Sequence, residues 1–176
     1  MSKKISNPFR HYEGYNCFGC SPNNPIGLRM EFIEEGDELT STWDPAPNYQ
    51  GWYNVLHGGI QSTLMDEIAS WVVFVKLKTS GVTSQLEVRY KKAVPSNMGA
   101  IKLRARLVEM KRNIAIVDVK LFGPDNELCT VATVKYFTFP QAVAKEKLWY
   151  PEPELMIEAD QHECIDQSCC TSASKK

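Results

Sequence analysis

Four segments in the second half of the chain have the patterns of strands, since two of them alternate apolar and polar residues and two are rich in β-branched and aromatic residues. In the clearest of them, residues 101–108, apolar side chains occupy every second position, namely Ile101, Leu103, Ala105 and Leu107. The other three segments are 82–94, 114–122 and 128–139, and turn-forming residues separate all four. A period of two is typical of strands that bury one face. The pattern therefore predicts four consecutive strands.

A different pattern precedes them. Residues 58–78 predict a helix. Apolar side chains lie on nearly every side of its middle, so it must be buried on several sides. Residues 28–33 and 39–43 predict two earlier strands, and the prolines of the loop 44–54 exclude a helix there. Two strands, one long helix and four strands predict an α+β fold, a curved antiparallel sheet wrapped around one long central α-helix.

The ends of the chain differ from this core. Residues 1–27 are dense in Gly, Pro and Asn and are expected to be irregular, whereas 28–140 form the folded domain. The extension 141–176 begins with a short predicted helix and is expected to be partly disordered beyond it.

Composition narrows the function classes. The chain has 176 residues, 43% hydrophobic and 23% charged, with a net charge of −1. This balance gives no electrostatic basis for a nucleic-acid partner or an anionic membrane. No apolar run is long enough to span a bilayer, and the N-terminus lacks the apolar core of a secretory signal. We expect a cytoplasmic protein with no membrane partner.

Six cysteines are present, and two of them form the pattern Cys17-x-x-Cys20. Zinc usually needs four ligands, and the further candidates, Cys164, Cys169, Cys170 and His162, lie in the polar tail. A redox pair normally precedes a helix, whereas this one lies in a loop rich in Pro and Asn. Reduced packing cysteines are the default interpretation, with no metal and no cofactor.

The strongest candidate for chemistry is His57-Gly58-Gly59, followed by Asp66. Two glycines at a helix start leave two bare backbone N–H groups at its positive end, where negative charge developing on oxygen is stabilised. Alternatively, they form a plain loop-to-helix turn. Asp66 is a candidate general base among apolar neighbours, or simply a solvated helix residue. His57 can orient a substrate carbonyl or hold the loop.

The spacing of this motif has a geometric consequence. Nine residues at about 100° each put His57 and Asp66 on opposite sides of one helix, about 13 Å apart along its axis. If both act in catalysis, two subunits must share the site. We therefore predict a homodimer. Arg89 belongs to a basic run, 89–92, which is either a solvated face or a docking strip for a phosphorylated carrier such as coenzyme A.

Together, NPIGLRMEF, HGG with Asp66 nine residues after the histidine, and GVTSQLEVRYKKAVP resemble the hotdog-fold acyl-CoA thioesterases of the PaaI-like group. The resemblance covers residues 17–139. It implies a hotdog homodimer, or a dimer of dimers, that hydrolyses an acyl-CoA thioester, with the Gly58 N–H as oxyanion donor and His57 as positioning group. It also implies that Asp66 of the neighbouring subunit activates water or attacks directly, and that Thr83 orients the water or the carboxylate.

The chain departs from this family pattern at Gly51, where many relatives carry an asparagine six residues before the histidine. Gln50 and Asn54 are the polar substitutes nearby, at a different spacing. The remaining candidate substrate-binding residues are Gly59, Glu67 and Arg89. The alternative to hydrolysis is a non-catalytic acyl-CoA-binding or regulatory hotdog protein.

Overall fold

The alternating segments form the strands of an antiparallel sheet. The computed structural model describes residues 2–157. Its strands are β1 (Ser2–Lys4), β2 (Ile33–Glu35), β3 (Glu38–Trp43), β4 (Gln50–Trp52), β5 (Val55–Leu56), β6 (Gly81–Tyr90), β7 (Ile101–Lys111), β8 (Ile114–Phe122) and β9 (Leu128–Thr138). Within the described residues, seven strands pair in the order β1-β2-β3-β7-β8-β9-β6, and β4 pairs with β5 separately. Every pairing between these strands is antiparallel.

Helix α1 (Gly58–Lys76) packs against one face of the larger sheet, and a second helix, α2 (Gln141–Leu148), follows the last strand. The inward side chains of β7 are fully or almost fully buried, as their alternation predicts. On α1 the buried side chains include Leu64, Met65, Ile68 and Trp71. Burial of these apolar surfaces supplies the main driving force for folding. The predicted α+β architecture, a sheet around one long helix, is confirmed.

One predicted strand is shorter than expected. Only Ile33 of the segment 28–33 joins β2, although Leu28, Met30 and Phe32 are all buried. The backbone of this segment bonds to the N-terminal loop instead, since the N–H of Leu28 donates to the carbonyl oxygen of Phe18 at 2.7 Å. The alternation reports burial of every second side chain, but the backbone partner is a loop rather than a neighbouring strand.

The two edges of the sheet differ. At the β1 edge, Ile5 forms an antiparallel bridge with Ile157, and the N–H of Ser6 donates to the carbonyl oxygen of Met156 at 2.9 Å. At the opposite edge, β6 pairs only with β9, so its outer side has no strand neighbour among residues 2–157. Val82 and Tyr90 on β6 are about half exposed. An unpaired edge of this kind is available to a further strand.

The segment expected to be irregular, 1–27, contains β1 and a single 3-10 turn, and the rest of it is turns and loops. The expected disorder of the tail concerns mostly residues 158–176, which lie outside the described residues. The division at 28 and 140 stays a prediction. None of the helices in residues 2–157 combines the length and apolar content needed to cross a bilayer.

Candidate active site

An open groove of about 700 Å³ lies at the start of α1. Its lining comes from the β4–β5 hairpin, the first turn of α1 and the segment after β6. The residues that line it are Gly51, Trp52, Val55, Leu56, His57, Gly58, Gln61, Tyr90, Lys91, Lys92 and Ala93. The first glycine of the His-Gly-Gly motif thus faces a space large enough for part of a small-molecule ligand.

His57 caps the helix through its side chain. Its Nδ1 accepts a hydrogen bond from the N–H of Gly59 at 2.8 Å, and its own N–H donates to the carbonyl oxygen of Tyr49 at 2.9 Å. This corrects the expectation of two bare N–H groups, because the Gly59 N–H is already occupied by the imidazole. An imidazole that accepts a hydrogen bond at Nδ1 leaves Nε2 as the ring nitrogen that can donate one.

The N–H of Gly58 is a bare donor at the helix start, since no residue among 2–157 accepts a hydrogen bond from it. The carbonyl oxygen of Gly58 accepts a hydrogen bond from the Tyr90 hydroxyl at 2.9 Å. Ser62 Oγ lies 2.7 Å from the same hydroxyl. A positive helix end and a free N–H together form one oxyanion donor, positioned by Tyr90.

Gln61 is a residue of the site that the sequence did not predict. This side chain is buried, donates from Nε2 to the carbonyl oxygen of Leu56 at 3.0 Å, and accepts at Oε1 from the Thr130 hydroxyl at 2.6 Å. It therefore fixes the strand–helix junction at the base of the groove against β9. The available signal was a glutamine four residues after His57, on the helix face that is otherwise apolar.

Asp66 is held by two hydroxyl groups. The Thr83 hydroxyl donates to Oδ1 at 2.9 Å, and the Tyr136 hydroxyl lies 2.7 Å from Oδ1 and 2.8 Å from the Asp66 carbonyl oxygen. The second carboxylate oxygen, Oδ2, has no hydrogen-bond partner among residues 2–157. Burial, together with the Asp66 charge, holds the pKa of Tyr136 far above its usual range, so its hydroxyl stays protonated and can donate.

Strand register brings the two hydroxyls together. Thr83 on β6 and Tyr136 on β9 are direct partners across the ladder, and the register shifts between Thr83 and Gln85. The extra residue, Ser84, bonds through its hydroxyl to the carbonyl oxygen of Lys135 at 2.9 Å. Such bulges re-aim neighbouring side chains. Tyr136 was not a predicted site residue, because its pairing with Thr83 is a long-range property of the sheet.

The groove and the aspartate lie apart in one chain. Neither Asp66 nor Thr83 contributes to the groove lining, in accord with the half turn of helix that separates Asp66 from His57. Within one chain, then, the structure brings together His57, Gly58 and Gln61 at one place and Asp66, Thr83 and Tyr136 at another.

Comparison with known proteins identifies the domain. Residues 53–130, which hold the groove residues after Trp52 together with Asp66 and Thr83, match the model of the thioesterase superfamily. This part of the chain is therefore similar to the thioesterase superfamily. No curated protein matches the chain.

Solved structures give the same fold. A thioesterase superfamily protein superposes with a TM-score of 0.61 at 20% identity, covering 66% of this chain, which spans only 57% of that protein. A hypothetical thioesterase with coenzyme A from Streptococcus pneumoniae gives 0.55 at 25% identity, covering 60% and 83%. A Streptococcus mutans protein bound to acetyl CoA gives 0.59 at 21% identity, covering 74% and 98%. The fold is the hotdog fold.

Several predicted substrate-binding residues have other contacts. Gln50 Oε1 accepts from the N–H of Asn54 at 3.1 Å and so closes the turn between β4 and β5, where Asn54 has a φ of 59°. Neither side chain hydrogen-bonds to His57 in the part of the chain that the structure describes. Arg89 is exposed and pairs with Glu87 at 3.1 Å. A role for these residues in substrate binding stays a prediction.

Gly51 lies directly against His57. A Cβ at Gly51 would be 3.1 Å from Cδ2 of the imidazole, so backbone occupies the place next to the ring. His57 is positioned by its Gly59 and Tyr49 contacts rather than by an asparagine side chain.

The aromatic residues near the motif fall into two groups. Trp52 and Tyr53 are 82% and 87% exposed, next to the groove. Others pack inside the fold, where Trp43 donates from Nε1 to the carbonyl oxygen of Leu28 at 2.7 Å and Trp71 is fully buried. Trp52 and Tyr53, together with the half-exposed Tyr90 of the groove lining, are open to contact with a ligand or a second subunit.

Glu67, the residue after Asp66, lies in a separate cluster with Cys17 and Cys20. The hydrogen bond from Cys20 lowers the pKa of the Cys17 thiol to about 5. The hydrogen bond to Cys17, with burial, raises the pKa of Cys20 well above its usual range. Burial raises the pKa of Glu67 to about 7. This cluster is not part of the groove.

Proposed function

We propose that the protein is an acyl-CoA thioesterase, which hydrolyses a thioester to a free acid and coenzyme A. The observation that carries the proposal is Asp66, with Oδ1 held by two hydroxyl groups and Oδ2 left free, on the same helix whose first N–H is a bare donor beside a groove. An oriented carboxylate and an oxyanion donor are the two groups that acyl transfer to water requires.

The proposed step uses Asp66 as general base. Its Oδ2 takes a proton from water while the water oxygen bonds to the thioester carbonyl carbon, and the carbonyl electron pair moves onto oxygen. The tetrahedral intermediate then collapses, the C–S bond breaks, and the coenzyme A thiolate leaves and is protonated. Direct attack by Oδ2, through an anhydride that water then opens, is the variant of this chemistry.

The Gly58 N–H is the proposed donor to the oxyanion. Loss of one such donor costs about 3 kcal/mol in known enzymes. His57 is a positioning residue, because its Nδ1 holds the Gly59 N–H and so orders the first turn.

The groove supports a coenzyme A ester as substrate. Lys91 and Lys92 line it, and the Lys91 ammonium has no ion-pair partner among residues 2–157. A free ammonium can pair with a phosphate, and the exposed ring of Trp52 offers a surface for stacking. Coenzyme A and acetyl CoA are bound by the two streptococcal proteins of the same fold.

We further propose that the working enzyme is a homodimer in which Asp66 of one subunit faces the groove of the other. Asp66 and the groove lie apart in one chain, and the unpaired β6 edge carries Thr83 towards one end and Tyr90 at the other. Two copies that meet along this edge would bring the halves together around a two-fold axis.

The test of the activity is a panel of acyl-CoAs with detection of free thiol. Wild type should release coenzyme A from part of the panel, and Asp66→Asn should reduce the rate by about 10²–10⁴-fold. Asp118→Asn is a matched control, because Asp118 is also bonded by a threonine hydroxyl, at 3.3 Å, but lies on β8. No turnover by wild type, or full rate in Asp66→Asn, would refute the assignment.

The second candidate is a non-catalytic acyl-CoA-binding protein, and glycine at position 51 is the observation that favours it. Saturable binding of acyl-CoA by calorimetry, without thiol release across the whole panel, would select it over the enzyme.

A further inference from the structure

The loop Cys17-Phe18-Gly19-Cys20 lies across the side of α1 that carries Glu67. The two sulfur atoms and a Glu67 carboxylate oxygen all lie within 4.8 Å of one another. The cluster is only partly buried, since Cys17 and Glu67 keep some exposure while Cys20 is 5% exposed. The fold therefore gathers three side chains with ligating atoms from two distant parts of the chain, at a place that solvent reaches.

The distances fit a tetrahedral metal site. Cys17 Sγ lies 3.6 and 3.7 Å from the two carboxylate oxygens of Glu67. A tetrahedral ion with bonds of about 2.3 Å to sulfur and about 2.0 Å to oxygen would place these two ligand atoms about 3.5 Å apart. Cys17 and Glu67 are thus already near the spacing that such an ion requires, and Cys20 Sγ lies within 4.8 Å of both.

Gly19 makes room for the carboxylate. A Cβ at this position would lie 2.2 Å from Glu67 Oε2, so no side chain fits between the two cysteines while Glu67 stays in place. The loop backbone is also fixed, because the carbonyl oxygens of Phe18 and Gly19 accept hydrogen bonds at 2.7 and 2.9 Å from Leu28 and Met30. The cradle is built by the backbone rather than by chance contact of flexible side chains.

Neighbouring groups orient two of the three ligands, Glu67 and Cys20. The indole N–H of Trp71 donates to Glu67 Oε1 at 3.1 Å, and the Tyr15 hydroxyl lies 2.9 Å from Cys20 Sγ. Asn7 in turn donates from Nδ2 to the Cys20 carbonyl oxygen at 3.0 Å. Such supporting hydrogen bonds are usual around metal ligands and fix their direction.

We propose that Cys17, Cys20 and Glu67 bind one zinc ion, with water in the fourth position. Two thiolates and a carboxylate in tetrahedral spacing favour zinc among the common divalent cations. The ion would tie the N-terminal segment to α1 at the residue next to Asp66. The proposal does not depend on thioesterase activity, because it concerns a separate face of the helix.

The test is zinc binding by the full-length reduced protein after removal of metals with a chelator. Calorimetric titration should give one equivalent, and Co²⁺ in place of Zn²⁺ should give the near-ultraviolet charge-transfer absorbance of cobalt–thiolate bonds. Cys17→Ser and Cys20→Ser should each weaken zinc binding by about 100-fold or more, and Glu67→Gln by about 10-fold or more.

Two control variants assign the site. Cys129→Ser replaces a buried free cysteine far from the cluster in sequence and should bind zinc as wild type does. A triple variant of Cys164, Cys169 and Cys170 to serine should do the same. Loss of zinc in the triple variant, or unchanged affinity in Cys17→Ser and Cys20→Ser, would overturn the assignment.

The cobalt spectrum of the wild type keeps the test decisive if a variant does not fold. Absence of thiolate absorbance and of zinc uptake under reducing conditions would overturn the proposal without any variant. A Cys17–Cys20 disulfide that forms on mild oxidation, in a protein that takes up no zinc when reduced, would identify the pair as redox groups instead and would equally overturn it.

Discussion

Asp66 has two chemically different carboxylate oxygens, because Thr83 and Tyr136 both contact Oδ1 and neither contacts Oδ2. The hydroxyl groups hold the plane of the carboxylate and leave one oxygen to act on a water molecule. Hydrogen bonds to a charged group contribute about 1.5–3 kcal/mol each. Orientation of Asp66 therefore depends on β6 and β9 as much as on α1.

The first prediction tests this orientation. Thr83→Val removes the hydroxyl at nearly constant volume and should lower kcat/KM for a thioester by about 10-fold or more, since one charged hydrogen bond is lost. Steady-state kinetics with free-thiol detection measures it. Thr133→Val is the matched control, because this threonine also donates to an aspartate, at 3.3 Å, but away from Asp66. Equal kinetics in wild type and Thr83→Val would contradict the role of Thr83.

The second prediction concerns Gly58. A Cβ there would lie 3.4 Å from the Tyr90 ring, an ordinary contact, so the folded chain itself does not require glycine. Gly58→Ala should leave the free energy of unfolding unchanged or raise it by up to about 1 kcal/mol. The same change should lower kcat/KM, because the methyl group occupies space beside the proposed thioester. Denaturant unfolding and kinetics on one preparation separate the two effects, and unimpaired turnover would exclude close approach of substrate to Gly58.

Residue-level prediction from the sequence was partial. His57, Gly58 and Asp66 stand out because their types and spacing are unusual for a helix start. Tyr136 does not, since it is one of several inward positions on an alternating strand. Its contact with Asp66 depends on the register between β6 and β9, which local pattern does not encode.

At the scale of elements, α1 is joined to β9 by a buried polar contact. Gln61 Oε1 accepts from the Thr130 hydroxyl at 2.6 Å, and both residues are buried. An acceptor left without a donor in such a place destabilises the fold by about 1–3 kcal/mol. The position of the helix start, and with it the groove, rests partly on this bond.

The third prediction follows from that contact. Thr130→Val should lower the free energy of unfolding by about 1–3 kcal/mol, because it leaves Gln61 Oε1 unsatisfied. The double variant Gln61→Leu with Thr130→Val should recover part of this loss, since both polar partners are then removed. Urea unfolding of wild type, Thr130→Val, Gln61→Leu and the double variant gives the comparison. A double variant that is destabilised by the sum of both single changes would show that the two side chains act independently.

Element positions were predicted well where burial and backbone pairing agree. In strands β7, β8 and β9, and in the helix α1, the apolar positions of the sequence coincide with the buried face of the element. The segment 28–32 has the same alternation but bonds to the loop around Phe18 and Gly19. A hydrophobic pattern reports which side chains are inside, and it carries no information on which backbone lies alongside.

At the scale of the whole molecule, the proposed site needs two chains. Each dimer then has two sites, and each α1 supplies its N-terminus to one and Asp66 to the other. A subunit altered at the N-terminus of α1 can still contribute Asp66, and a subunit altered at Asp66 can still contribute its helix N-terminus.

The fourth prediction uses this arrangement. A purified heterodimer of one Asp66→Ala subunit and one Gly58→Ala subunit holds one intact site and one doubly altered site, so its activity should be about half that of wild type. Both parent homodimers should be nearly inactive. Two different affinity tags allow the heterodimer to be isolated and assayed. A heterodimer no more active than its parents would place both groups in the same chain's site.

The bridge between Ile5 and Ile157 has a practical consequence. Both segments reach the β1 edge, and the strand order puts β6 at the far side of the sheet. An affinity tag, a fused fluorescent domain or a surface tether attached through either segment therefore starts from the edge opposite β6. Immobilised or fused protein should keep its β6 edge free to meet a second copy, so single-molecule capture through these ends is compatible with dimer assembly.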